Sequence, residues 1–166
     1  MTQVLVLAQL VDGELADTTG ELLAAAALIG EPAAVVVIDS GDSGDGSQIA
    51  AALGSLGAHI VYIATAPDAS RTLVTPQVAA LQAAMTAANA AGSATDAVIL
   101  STDTDSREVA ARLAIRVGGA LQWDVVDIDA TGDSVVATQQ AFGGAFTVRS
   151  VAARGIPIIS LRPNSV

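Results

Sequence analysis

Continuous apolar runs alternate with stretches of helical periodicity along the first two-thirds of the chain. Gln3 to Gln9 reads as a strand, with Asp12-Gly13 as a turn after it. Thr18, with Glu21 three residues on, has the form of a capping box that opens a helix. Gly30 ends that helix and Pro32 keeps it from restarting. Val35 to Asp39 is an almost wholly apolar run, as in a strand buried on both faces. A helix from about Ser47 to Leu56 stops at Gly57, and His59 to Ala64 is a third strand. Thr75-Pro76 opens a long helix with proline at its first position, where no N–H is needed. It runs to about Ala91 and ends at Gly92. Ala97 to Ser101 is a fourth strand, and Asp105 with Glu108 gives a D-x-x-E start to the next helix, which Gly118-Gly119 ends.

After Gly119 the pattern changes from helical to strand-like. Trp123 to Ala130 and Ser134 to Gln140 flank Thr131-Gly132-Asp133 and predict a β-hairpin. Ala145 to Val151 and Pro157 to Leu161 are further strands. The order predicts an α/β fold: a mostly parallel sheet between helices, with a strand-rich C-terminal part. No linker or repeat divides residues 1–166, and a chain of 166 residues suits one domain.

Composition narrows the function. Hydrophobic residues make up 52% of the chain, yet no apolar run is long enough to span a bilayer, so no membrane insertion is expected. Nothing at the N-terminus has the form of a signal peptide, and cysteine is absent, which fits a bacterial cytoplasm. Disulfides, thiolate-held clusters and cysteine nucleophiles are excluded. The net charge of −10 repels a phosphate backbone, and aromatic residues at 2% supply no stacking platform, so nucleic acid is not an expected partner. All seven basic residues are arginine, which removes a P-loop lysine and Schiff-base chemistry.

Several motifs invite chemistry. The loop DSGDSGDGSQ, Asp39 to Gln48, lacks the lysine of a phosphate loop and the carboxylate spacing of an EF-hand. Gly41, Gly44, Gly54 and Ser55 do fit the G-x2-G-x9-G-[ST] spacing of universal stress proteins, which bind adenine nucleotides. In that family the motif follows a later strand, so a surface loop and helix cap is the favoured reading. Asp103 and Asp105 form a D-x-D pair at the sheet edge where α/β proteins bind ligands. With no third ligand in view, Asp105 is expected to cap its helix and Asp103 to be solvated. His59 is the only histidine, and no base or nucleophile stands near it in sequence. Trp123 is expected to be a buried anchor or an interface residue. Arg107, Arg112 and Arg116 lie on one helix, with Glu108 four residues before Arg112.

Three segments point to a family. Asp105 to Val126 reads DSREVAARLAIRVGGALQWDVV, and Ala141 to Pro163 reads AFGGAFTVRSVAARGIPIISLRP, marked by Thr147-Val148-Arg149-Ser150 and Leu161-Arg162-Pro163. The third is the opening VLVLAQLVDGELADTTGELLAAAALIG. Together they resemble the alpha subunit of electron transfer flavoproteins over nearly the whole chain. Gln9, Gln122-Trp123, Asn164 and Val166 depart from that family's pattern. The resemblance implies a three-layer Rossmann-like sandwich (adenine nucleotide alpha hydrolase-like). It implies that residues 1–166 are the N-terminal domain of the subunit, with the FAD-binding C-terminal domain absent. The family's heterodimer of alpha and beta subunits holds FAD and shuttles electrons from dehydrogenases, such as acyl-CoA dehydrogenases in fatty acid beta-oxidation, to a quinone reductase. No catalytic, cofactor-binding or metal residue is expected on this chain, and it is expected to be no enzyme by itself. Arg107, Arg112, Arg149 and Arg162 are the candidates for a subunit or domain interface. The alternative of another class is a small adenine-nucleotide-binding module of universal-stress type.

Overall fold

The computed structural model describes residues 2–40, 46–69, 71–132 and 134–165. Strand β1 (Thr2–Ala8) leads into a two-stranded ribbon, β2 (Leu10–Val11) and β3 (Glu14–Leu15), across the Asp12-Gly13 turn. Then follow α1 (Thr19–Ala27), β4 (Glu31–Asp39), α2 (Gly46–Ser55), β5 (Ile60–Ala66), α3 (Thr75–Ala90), β6 (Ala94–Leu100) and α4 (Thr104–Val117). The chain continues with β7 (Ala120–Thr131), β8 (Ser134–Ala141), β9 (Phe146–Val151) and β10 (Pro157–Leu161). Eight strands form one sheet in the order β5-β4-β1-β6-β10-β7-β8-β9. All neighbours from β5 to β7 are parallel, and β8 and β9 are added antiparallel.

Alternation along the central strands feeds two cores. Val4, Val6 and Ala8 of β1 point to the layer of α1 and α2, where Leu22, Leu23 and Leu53 meet them. Leu5 and Leu7 point the other way, to Val78 and Leu81 of α3 and Val109 and Leu113 of α4. The result is the expected three-layer sandwich. Each fully buried Leu or Ile contributes about 1.5–3 kcal/mol relative to exposure.

Four local expectations are corrected. The capping box at Thr18 does not form: Thr18 has helical dihedrals, φ −71 and ψ −14, and its side chain makes no cap bond. A capping hydroxyl needs an extended backbone to reach the free amides. Glu21 instead accepts the backbone N–H groups of Asn164 and Ser165, each at 2.8 Å. Pro32 lies inside β4 rather than in a break before it. It is tolerated because the β5 partnership begins only at Ala33, one residue on. The start of β7 at Ala120 precedes the predicted Trp123, because its first half pairs in parallel with β10 and only its second half makes the hairpin with β8. The fourth correction concerns the cap of α4 and belongs to the site.

Candidate functional site

The carboxyl ends of β1, β6 and β10 open on the same edge of the sheet, with the start of α4 above them. Asp103 caps α4: its backbone is extended and its Oδ1 accepts the Ser106 N–H at 2.9 Å. Asp105, expected in that role, sits inside the first turn, where its charge still favours the helix dipole. The predicted D-x-x-E start therefore moves two residues upstream. Gln9, just beyond β1, donates from Nε2 to the same Asp103 Oδ1 at 3.3 Å. Burial pushes the Asp103 carboxyl up, but the bonds from Ser106 and Gln9 outweigh it together and hold it below the ordinary aspartate value.

Beside this cap, β7 carries an irregularity. Asp124 takes φ +54, and the pairing register of β7 with β10 shifts between Ile159 and Leu161. The left-handed conformation costs about 1–2 kcal/mol for a residue with a Cβ. It aims the Asp124 carboxylate at the guanidinium of Arg162, which grips it with two bonds, Nε to Oδ1 at 3.0 Å and Nη2 to Oδ2 at 2.6 Å. The Arg162 N–H also donates to Val125 O at 2.8 Å. The residue before the kink, Trp123, is half-buried, and the Arg107 guanidinium lies 4.2 Å from the centre of its ring. Such a stack contributes about 0.5–1 kcal/mol at an exposed site. Helix α4 thus delivers Arg107, β7 delivers Trp123 and Asp124, and the end of β10 delivers Arg162.

The Arg162 hydrogen bond is the main reason the Asp124 carboxyl lies below its ordinary value, with the charges of Arg162 and Arg107 assisting against a little burial. The same pairing raises Arg162. A carboxyl depressed in the folded state binds fewer protons there than in the unfolded chain. Its stabilisation is complete above the unfolded value, near ~3.9, and is lost as pH falls through the folded value. Asp124→Asn is therefore expected to lower stability at pH 7 modestly, since both partners are more than a third exposed, and to flatten the loss of stability below about pH 4. Urea unfolding at pH 7 and at stepped acid pH measures both effects. A wild-type and variant difference that stays constant down to pH 2 would refute the pairing.

The four candidate arginines separate. Arg107 and Arg162 meet in the cluster just described. Arg112 pairs with Glu108 one turn earlier on the exposed side of α4. Arg149 lies on β9 and reaches Asp129 of β7 at 3.6 Å across the intervening strand. Arg116 donates to Gln82 Oε1 at 3.0 Å and ties α4 to α3. His59 is mostly exposed and contacts Glu31 at 3.3 Å. Sequence reasoning missed Asp124 and Glu21 as partners. The Trp-Asp step just after a Gly-Gly stop is the only trace of the bulge, and nothing in sequence ties Glu21 to residues more than 140 positions away.

A cleft of about 850 Å³ opens on the other side of the Asp103 cap. Its described lining includes Gln9, Asp12, Asp39, Arg71, Gln77, Asp103 and Asp105. Gly41 and Gly44 of the nucleotide-like spacing lie outside the described residues. Gly54 and Ser55 sit in the last turn of α2, where the Ser55 hydroxyl donates to Ala51 O at 2.9 Å.

A parallel sheet of this order, clad by helices on both faces and open at its carboxyl edge, defines a Rossmann-like α/β protein. The electron transfer flavoprotein domain matches residues 4–166, and the chain belongs to that family. It is similar to the electron transfer flavoprotein subunit alpha of Mycobacterium leprae (strain TN), 37% identical over 166 residues, covering 100% of this chain and 49% of that protein. The protein of the same name from Mycobacterium tuberculosis (strain CDC 1551 / Oshkosh) is 38% identical with the same coverage. The chain spans about half the length of the curated relatives it matches.

The flavin that the family name implies can be tested against the cleft. Four carboxylates face one arginine in its described lining, and the α4 amides that could hold a pyrophosphate are already capped by Asp103. These groups do not fit an anionic dinucleotide, and no redox step is derived through them.

Proposed function

We propose that this chain is the N-terminal scaffold domain of an electron transfer flavoprotein alpha subunit, with FAD held on polypeptide outside residues 1–166. The match to the electron transfer flavoprotein domain over residues 4–166 carries this reading. In the assembled protein, alpha and beta subunits with FAD would shuttle electrons from dehydrogenases, such as acyl-CoA dehydrogenases, to a quinone reductase in the cytoplasm of a bacterium. The chain itself is an electron-carrier scaffold, not an enzyme. Among the described residues no helix is long and apolar enough to cross a membrane, and no group of three or more His, Asp or Glu side chains gathers as metal ligands. The cluster of Arg107, Trp123, Asp124 and Arg162 acts as a rigid brace beneath the carboxyl edge. Arg112 and Arg149 contribute to the subunit or domain interface.

The scaffold role is tested by colour. The chain purified from cells supplied with riboflavin is expected to show no flavin absorbance near ~450 nm, since a bound isoalloxazine requires a shielded, hydrogen-bonded pocket. A stoichiometric flavin band would overturn the assignment.

A further inference from the structure

The cleft beside the Asp103 cap, about 850 Å³, has the size of a small-molecule site. It opens at the carboxyl edge of the sheet, between the ends of β1 and β4 and the starts of α3 and α4. Asp12, Asp39, Asp103 and Asp105 stand in its wall, and Arg71 is the single cation among the described lining residues. Leu10, Val37, Ile38 and Ile49, all half-buried, share the lining.

The places that would receive an anion are closed. Asp103 already caps α4. Helix α3 has no side-chain cap, yet its end offers little to an anion. The Thr75 N–H donates to Leu73 O, Pro76 has no N–H, and the Val78 N–H donates to Val74 O. What the cleft does present is acceptors. Gln77 lines it, and the side-chain oxygen Oε1 of Gln77 is buried with no hydrogen-bond partner. A buried acceptor left without a donor is costly, so the missing partner is a donor. Nor is the negative charge gathered at a point. Among the described residues no three acidic or histidine side chains converge as ligands for a metal ion, so the carboxylates are set apart along the wall.

We infer that this cleft binds an extended aliphatic polyamine. Its ammonium groups pair with carboxylates that are separated from one another, Asp12 and Asp105 among them. One of its N–H groups donates to Gln77 Oε1, and its methylene segments lie on the apolar lining. A point charge cannot serve carboxylates that do not converge, and an anion would meet four of them. Arg71 opposes the ligand and limits its affinity. Polyamine binding and the scaffold role are independent of each other.

Calorimetry of the 166-residue chain with spermidine at low salt is the test. Binding of one spermidine per chain is expected, with a dissociation constant below about 100 μM. Putrescine, with one ammonium fewer, is expected to bind about fivefold more weakly, and AMP not at all. Asp12→Asn is expected to weaken spermidine binding about threefold or more, and it keeps the turn because asparagine tolerates the φ of +52 found at Asp12. Asp96→Asn removes the same charge near the amino end of β6, outside the cleft, and is expected to bind as wild type. Gln77→Leu is expected to weaken binding about fivefold while the thermal midpoint holds or rises, since leucine leaves no acceptor unpaired. A fold defect would lower both. Arg71→Gln is expected to tighten binding about threefold. No spermidine binding up to about 1 mM overturns the proposal, as does AMP binding in its place. An equal loss in Asp96→Asn and Asp12→Asn also overturns it, because general attraction to an acidic surface then accounts for the binding.

Discussion

Gly155→Ala is expected to destabilise the chain by about 3 kcal/mol or more, a large fraction of the stability of a typical domain. A Cβ at position 155 would stand 2.1 Å from Gly118 O, 3.0 Å from Gly118 C and 3.2 Å from Gly119 Cα. All three atoms are backbone, so no side chain can swing away. Gly155 also holds φ +66, and Gly118 holds φ +65 as the left-handed cap of α4. The loop before β10 and the end of α4 therefore approach each other through glycine alone. Gly119 adds to the fit, since a Cβ there would meet Ile158 Cδ1 at 2.7 Å. Gly92→Ala is the informative comparison: it has φ +77 with nothing within 4 Å. Only conformational strain of about 1 kcal/mol is expected there. Equal losses for the two variants, measured by urea unfolding, would show that the close approach is not the cause.

Ile159→Ala is expected to cost about 2–5 kcal/mol. Ile159 is fully buried, pairs with Ile99 of β6 on one side and Gln122 of β7 on the other, and packs into the core beneath α1. The spread reflects how far the surroundings collapse into the vacated volume. The effect exceeds local packing, because among the described residues β10 alone joins the β7-β8-β9 end of the sheet to the strands from β5 to β6. Trp123, the single tryptophan, reports on β7 through its fluorescence. Ile115→Ala, at a side chain 85% exposed on α4, is expected to stay within about 0.5 kcal/mol of wild type. A loss below that figure at Ile159 would contradict the burial.

Much of the fold was legible because its signals are local. The apolar run around Val35 has no polar face to place in water, so it had to be a central strand, and β4 is flanked by β1 and β5. Pro76 and Gly92 bracket α3 as proline and glycine chemistry demands. The site was less legible. Asp103 and Asp105 both satisfy the composition of a cap, and the choice between them depends on where the chain leaves β6. The partnership of Asp124 with Arg162 spans 38 residues and relies on a bulge that sequence periodicity does not encode. The four candidate arginines divide in the fold: Arg107 and Arg162 share a cluster with Trp123 and Asp124, Arg112 pairs with Glu108 on the helix surface, and Arg149 pairs with Asp129 across β8.

The position of β10 also bears on the order in which a nascent chain can assemble. On the ribosome, residues 2–100 can close four adjacent strands, and residues 120–151 can zip into a three-stranded ribbon nearby. The two pieces share no strand pairing until residues 157–161 slide between β6 and β7. Completion is therefore a late, long-range event, of the kind that makes folding slow and exposes strand edges to chaperones in the interval.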